Sequence, residues 1–314
     1  GRGTRSARRA FLAERMTGPS SELFLEYAKA VRPEIEAALE RYTQYDADCP
    51  PVLREAIRHS LLAGGKRLRP LLVLMSAQAC GCPRGEAMPA ACAVEMVHTY
   101  SLIHDDLPAM DDDQWRRGRP SCHVKFGEAN AILAGDALLT LAFQVLASMK
   151  TRCAEHALEV IRIIAVAAGP SGMVQGQMLD MQSEGRSLTP ESLQHLHALK
   201  TGAMIEAALA AGAIVAGGSP RQVDAIREYG RAIGLAFQVV DDILNVEGDP
   251  AVMGKAAGTD RVRRKNSYPT LWGLEKSREF AHNLTQAANE SLSDFGLEAE
   301  ALRTIARYVI ERNK

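Results

Sequence analysis

The sequence predicts an all-α protein, a single-domain helical bundle around a deep central cavity, and three observations carry that expectation. Nearly every segment has apolar residues at helical spacing, and none alternates convincingly as strands do. Aromatic residues make up only 5% of the 314, while Ala and Leu dominate the apolar set, which favours helices over sheets. At 46% hydrophobic the chain can bury one large core or two modest ones, and no internal repeat or low-complexity linker divides it.

In chain order, residues 1–20 open with a basic stretch: Gly1 to Arg15 holds five arginines and one acid, Glu14. It reads as a disordered basic extension or an expression scar, with a transit-like tail as the alternative. The domain itself is expected over 21–314, with helices over 21–45, 52–63, 70–79, 86–107, 134–149, 154–168, 171–182, 190–217, 221–245, 268–288 and 297–311. Gly64-Gly65 ends the second, and Pro70 suits the first turn of the third. Pro108 ends the fourth within a turn. Thr189 and Ser219 are N-caps, each followed directly by a proline. The longest stretch without periodicity, 247–267, carries Lys255, Arg261, Arg263, Arg264 and Lys265, as a basic lid over an anion would.

Bulk charge narrows the partners. With 37 basic and 38 acidic residues the net charge is −1, which gives no support to a nucleic-acid partner. The six cysteines fit no zinc spacing and read as small buried hydrophobes in a reducing, cytoplasm-like compartment. No apolar run reaches the roughly 20 residues of a membrane span, the nearest, Met204 to Gly217, being too short and containing Glu206.

Chemistry concentrates in two aspartate clusters. The first holds five aspartates in nine residues: Asp105, Asp106, Asp111, Asp112 and Asp113. The second is Asp241, Asp242 and Asn245, with Asp241 and Asn245 on one helical face. Each closes an apolar helical run, 94–103 or 233–240, where adjacent carboxylates are costly unless a cation neutralises them. Hard divalent ions with oxygen ligands do this, and Mg²⁺ keeps open positions for phosphate oxygens. Cations stand nearby in sequence. Lys66 and Arg69 flank a helix start, Arg116-Arg117-Gly118 follows the first cluster, and Lys200-Thr201 and Gln238 are polar groups in apolar helices. A metal-bridged phosphate or diphosphate site above an apolar cavity is the reading these residues support. No Ser-His or Cys-His nucleophile pattern competes with it.

Five motifs in order resemble the trans-isoprenyl diphosphate synthases. They are GGKRxRP (Gly64 to Pro70), DDxxxxD (Asp105, Asp106, Asp111), RRG (Arg116 to Gly118), FQxxDD (Phe237 to Asp242) and GDPxxxGK (Gly248 to Lys255), with Lys265 before a later Tyr-Pro. The likeness spans 33–314 and is strongest to the bacterial short-chain type, typically farnesyl diphosphate synthase. It implies the isoprenoid-synthase fold, a homodimer, and Mg²⁺ as the metal. It further implies that Asp105, Asp111 and Asp241 hold the allylic diphosphate through Mg²⁺, with Asp106 and Asp242 orienting ligands or acting through water. Arg116, Lys200 and Lys255 would contact that diphosphate, assisted by Lys265. Isopentenyl diphosphate, without metal, would rest on Lys66, Arg69, His98 and Arg117. Oxygens of Lys200, Thr201 and Gln238 would face the allylic cation left when the diphosphate departs. The family usually has Asp where this chain has Asn245, which keeps an oxygen but loses a charge.

Product length is expected to depend on Ser101 and Tyr100, roughly 6–8 Å down the helix from Asp105 at 1.5 Å per residue. Ser101 leaves room and Tyr100 can form a floor. In the family an aromatic at that position accompanies a fifteen-carbon product, so farnesyl diphosphate is expected, with geranylgeranyl diphosphate second. A terpene cyclase or a regulatory synthase subunit are the other classes. A cyclase needs no second, metal-free diphosphate site, and regulatory subunits tend to lose an aspartate motif.

Overall fold

The computed structural model describes residues 20–45, 48–151, 153–247 and 266–311. Among the described residues every regular element is a helix except for one two-stranded ribbon. The opening extension, Lys255, Lys265 and nearly all of the expected basic lid lie outside the described residues.

The bundle is built around α10, Ala203–Val215, which follows α9, Pro190–His197, and a π-helical turn, Ala198–Gly202. Every α10 residue except Ala203 and Glu206 is buried, the all-round apolar pattern of a helix enclosed by others. Around it stand α3, Leu68–Ala79, α4, Arg84–Asp105, α7, Ala154–Ala168, and α11, Pro220–Glu247. Gly212 makes the closest approach possible, since a Cβ there would sit 2.1 Å from the Val73 carbonyl oxygen of α3. The outer layer comprises α1, Ser20–Tyr42, α2, Pro51–Leu61, α6, Glu128–Ala147, α8, Met173–Ser183, α13, Leu274–Ser291, and α14, Glu300–Glu311. Two short helices, α5 (Cys122–Phe126) and α12 (Tyr268–Trp272), precede α6 and α13. Phe24 of α1 packs on Tyr308 of α14 with ring centroids 4.6 Å apart, and Tyr229 of α11 hydrogen-bonds the Leu302 carbonyl at 2.7 Å.

Both expected N-caps form. Thr189 Oγ1 accepts from the Ser192 N–H at 3.3 Å, and Ser219 and Gln222 cap one another reciprocally. Other boundaries moved for physical reasons. The helix expected over 134–149 starts at Glu128, hidden because Ile132 and Leu133 point outward and blur the periodicity. Gly273, at φ 82°, splits the helix expected over 268–288. The unexpected ribbon pairs Trp115–Arg116 with Arg119–Pro120, turning on Arg117 and Gly118 at φ 54° and 75°. The expectation about membrane-span length also needs correcting. Three stretches, Glu128–Ala147, Ala154–Ser183 and Pro190–Val215, are long and apolar enough to cross a bilayer by length and composition. They were missed in the sequence because several polar residues interrupt each one. Those residues include Asp180 and Lys200, which line a cavity of the bundle.

Candidate diphosphate and metal site

The first aspartate cluster caps the C-terminal end of α4, where the helix runs out at Asp105. The chain then folds back, and the Asp111 N–H donates to the Asp105 carbonyl at 2.9 Å. This turn returns Asp111 to the helix end, and Asp112 takes a left-handed φ of 51° to complete it. Arg116 then reaches back from the ribbon. Its Nε donates to Asp106 Oδ1 at 2.9 Å, its Nη2 also bonds Asp106, and the same Nη2 meets Asp113 Oδ2 at 3.0 Å. Asp106 is buried and its carboxyl is still pushed up by that burial, against the pull of Arg116. Asp105 is pushed further, to about 6, chiefly by burial, with Lys200 opposing and Asp111 and Asp106 adding repulsion.

Beside this acidic end lies a cationic loop. Arg67 is wholly buried, at φ 49°, where it bonds Glu36, Glu95 and the Leu61 carbonyl and so fixes the loop between α2 and α3. That leaves Lys66 exposed and Arg69 half-buried on the site side. Arg117 docks against the same loop, donating to the Gly64 carbonyl at 2.6 Å. Gly65 is at φ 114°, a backbone conformation that residues with a Cβ rarely adopt, and the Arg117 guanidinium rests where that Cβ would be. Burial lowers the pKa of both Arg69 and Arg117, with Glu95 opposing in each; Arg117 lowers that of Arg69 further and Asp241 raises it, while Arg67 and Arg116 lower that of Arg117. His98, half-buried, is held well below the usual imidazole range by burial, then by Arg69, Arg117 and Arg116, so it is neutral. The sequence assigned Lys66, Arg69, His98 and Arg117 to one place, and the last three are electrostatic neighbours.

The second cluster lies on the last two turns of α11. There Asp241, Asp242, Asn245 and Gln238 share a cavity of about 220 Å³ with Lys200, Asp180 and Asn266. Small residues let α11 come this close: a Cβ on Gly230 would be 2.9 Å from Glu206 Cα, and one on Gly234 3.2 Å from Gly202 Cα. Gln238 is one turn beyond Gly234, which carries it into the cavity. Asp242 Oδ2 accepts the Tyr268 backbone N–H at 3.0 Å, tying the cluster to α12. Lys200 and Thr201 occupy the π-turn, a local widening common at functional sites. Lys200 Nζ meets Asp180 Oδ2 of α8 at 2.5 Å, and it is also the leading cation acting on Asp105. The lysine thereby connects the two aspartate clusters. Gly176 makes its placement possible, since a Cβ there would stand 2.3 Å from the Lys200 nitrogen.

Sequence reasoning overlooked Asp180, Gly176, Arg67 and Glu95. For Glu95 the signal was present, a lone acid inside an apolar helical run, which requires a partner when buried; Asp180 stands among glutamines and carried no such signal. Tyr100 is buried beneath the first cluster, and Ser101 bonds back to the His98 carbonyl at 2.9 Å.

As a metal site, the donors are all hard oxygens, carboxylates together with the Asn245 amide, and a divalent cation would offset the burial and repulsion that raise Asp105. Among the described residues, no three such groups already converge as a finished coordination shell.

Comparison with known proteins identifies the family. The family model described as polyprenyl synthetase matches residues 50–303. Farnesyl diphosphate synthase of Escherichia coli K12 is 48% identical over 266 residues, covering 83% of this chain and 89% of its own. The heterodimeric geranylgeranyl pyrophosphate synthase large subunit 1 of Arabidopsis thaliana is 45% identical, covering 95% and 82%. The ligand-free crystal structure of an FPP/GFPP synthase from Zymomonas mobilis superposes with a TM-score of 0.82 at 37% identity, over 92% of this chain and 99% of that one. The motifs, the all-α fold and these relatives agree: the chain belongs to the polyprenyl synthetase family.

Proposed function

We propose that this chain is a Mg²⁺-dependent farnesyl diphosphate synthase. It condenses isopentenyl diphosphate head to tail with dimethylallyl and then geranyl diphosphate. The observation that carries the proposal is a pair of adjoining sites strained in opposite senses. Burial raises the carboxyls of Asp105 and Asp106 and lowers the pKa of Arg69 and Arg117, so each group's charged form is short of the solvation that a bound counter-charge would replace. A metal-complexed diphosphate relieves the first and a bare diphosphate the second. A cyclase has no use for that second site, and both aspartate motifs are present, unlike in a regulatory subunit.

Bound Mg²⁺ supplies charge neutralisation to the departing diphosphate. Asp105, Asp111 and Asp241 would hold it, with Asp106 and Asp242 steadied by Arg116 and the Tyr268 N–H. Lys200, Arg116, Lys255 and Lys265 take the allylic diphosphate; Lys66, Arg69, Arg117 and neutral His98 take isopentenyl diphosphate. Carbonyl and hydroxyl oxygens at Lys200, Thr201 and Gln238 face the allylic cation until the isopentenyl double bond attacks it. The leftover proton passes to the released diphosphate. Tyr100 closes the cavity at fifteen carbons. A cytoplasmic homodimer, with one catalytic domain over 21–314, completes the proposal. Exposed Ile132 and Leu133 on α6 and six free thiols support it.

Incubating the protein with Mg²⁺, isopentenyl diphosphate and each allylic primer, then sizing the products by chromatography, tests the proposal. Farnesyl diphosphate is the expected product, and absence of any condensation product would refute it. A twenty-carbon product is the second reading, favoured by the geranylgeranyl-forming name of the Arabidopsis relative. Tyr100→Ala is expected to move the main product from fifteen to twenty or more carbons, and an unchanged spectrum would remove Tyr100 as the floor. Gly176→Ala, which forces α8 off the π-turn, is expected to lower kcat/KM about a hundredfold through misplaced Lys200. Steady-state kinetics together with an unaltered circular dichroism spectrum would separate this from unfolding.

A further inference from the structure

Directly above Tyr100 on α4, one turn on, His104 turns toward α6. Its ring meets the Tyr100 ring edge-on, with centroids 5.8 Å apart and planes at 82°. Nε2 lies 3.1 Å from the Ile132 carbonyl oxygen, to which its N–H donates, and 4.0 Å from Asp136 Oδ1. The imidazole fills a notch made by a missing side chain. A Cβ on Gly135 would stand 2.1 Å from Nε2 and 2.6 Å from Cδ2. Neither the metal nor the diphosphate reading uses this histidine, although it directly precedes Asp105.

A tyrosine ring that ends a cavity has to resist a growing apolar chain pressing on it. Its two side-chain torsions alone offer little resistance, because a rotamer change costs little when the neighbouring space is open. Here that space is filled by a second ring, itself anchored across the helix interface to α6 backbone. We propose that His104, seated in the Gly135 notch, is a positioning residue that immobilises Tyr100 and thereby sets product length. The inference rests on the proposed role of Tyr100 as floor, and it places part of the length control on α6.

Product chromatography of His104→Ala, His104→Phe and Tyr100→Ala tests it. His104→Ala opens space beside Tyr100, and the ratio of twenty- to fifteen-carbon product is expected to rise at least about tenfold, the discrimination that small changes in an apolar pocket give. His104→Phe keeps a ring against Tyr100 and is expected to retain the fifteen-carbon product. Fifteen-carbon product alone from His104→Ala, with lengthening in Tyr100→Ala, would overturn the role of His104 and leave the floor intact. No lengthening in either variant would overturn the floor, and this inference with it. Should His104→Ala be inactive through its neighbour Asp105, Gly135→Ala decides from the facing helix. Its Cβ must displace the ring, so a shifted product ratio upholds the proposal and an unchanged ratio overturns it.

Discussion

Asp105→Asn is expected to stabilise the metal-free protein while lowering the condensation rate by at least about a hundredfold. Both effects come from one observation. Burial, with repulsion from Asp111 and Asp106, raises the Asp105 carboxyl from 3.8 to about 6. The folded state therefore keeps a proton that the unfolded chain releases. Stability contributed at this site falls as pH rises from 3.8 to about 6 and does not return above it. At neutral pH the ionised group costs the fold about 1–3 kcal/mol, a sacrifice of stability for activity. The amide removes that cost, and it also removes the charge that would hold the metal. Thermal melts from pH 4 to 8 in EDTA should show a smaller decline across this window for the variant, alongside a collapsed kcat. Equal melting profiles for the two proteins would contradict the argument.

Arg67→Met is expected to lose about 3–5 kcal/mol of folding stability, because it strands buried charge. Arg67 Nε lies 2.7 Å from Glu36 Oε1, Nη1 lies 2.5 Å from Glu95 Oε1, and Nη2 is 2.6 Å from the Leu61 carbonyl. Burial works against the charge on Arg67, yet the bonds to Glu36 and Glu95 and the charge of Glu95 raise its pKa overall. The Arg67 side chain has no exposure and Glu95 only 2%, so Glu95 could not be rescued by solvent. The same change frees the loop that presents Lys66 and Arg69, and the KM for isopentenyl diphosphate should rise with it. Urea denaturation of the single variant and of Arg67→Met with Glu95→Met measures the coupling. The double variant is expected to regain much of the loss, whereas additive losses would deny the pairing.

How far the sequence foretold this molecule varies by feature, for physical reasons. Helix caps at Thr189 and Ser219 were legible because capping is local chemistry. The end of α4 close to the first aspartate cluster was legible from Pro108, which cannot continue a helix. The π-turn at Lys200 was not, since a widened turn preserves the apolar pattern on either side. Nor were the approaches at Gly176 and Gly212 legible, because each glycine is explained by a backbone far away in sequence. The two arginines at 67 and 69 look alike in the motif. Only tertiary packing turned one inward to hold the loop and left the other facing the site.

The account depends on the two aspartate clusters acting as opposing sides of one metal-dependent allylic site beside a metal-independent one. Calorimetric titration of the protein, Asp105→Ala and Asp241→Ala with a non-reactive allylic diphosphate analogue, with and without Mg²⁺, tests this most directly. Tight binding is expected only for the unaltered protein with Mg²⁺, while isopentenyl diphosphate binds all three proteins irrespective of metal. Analogue binding without Mg²⁺, or unimpaired in Asp241→Ala, would contradict it.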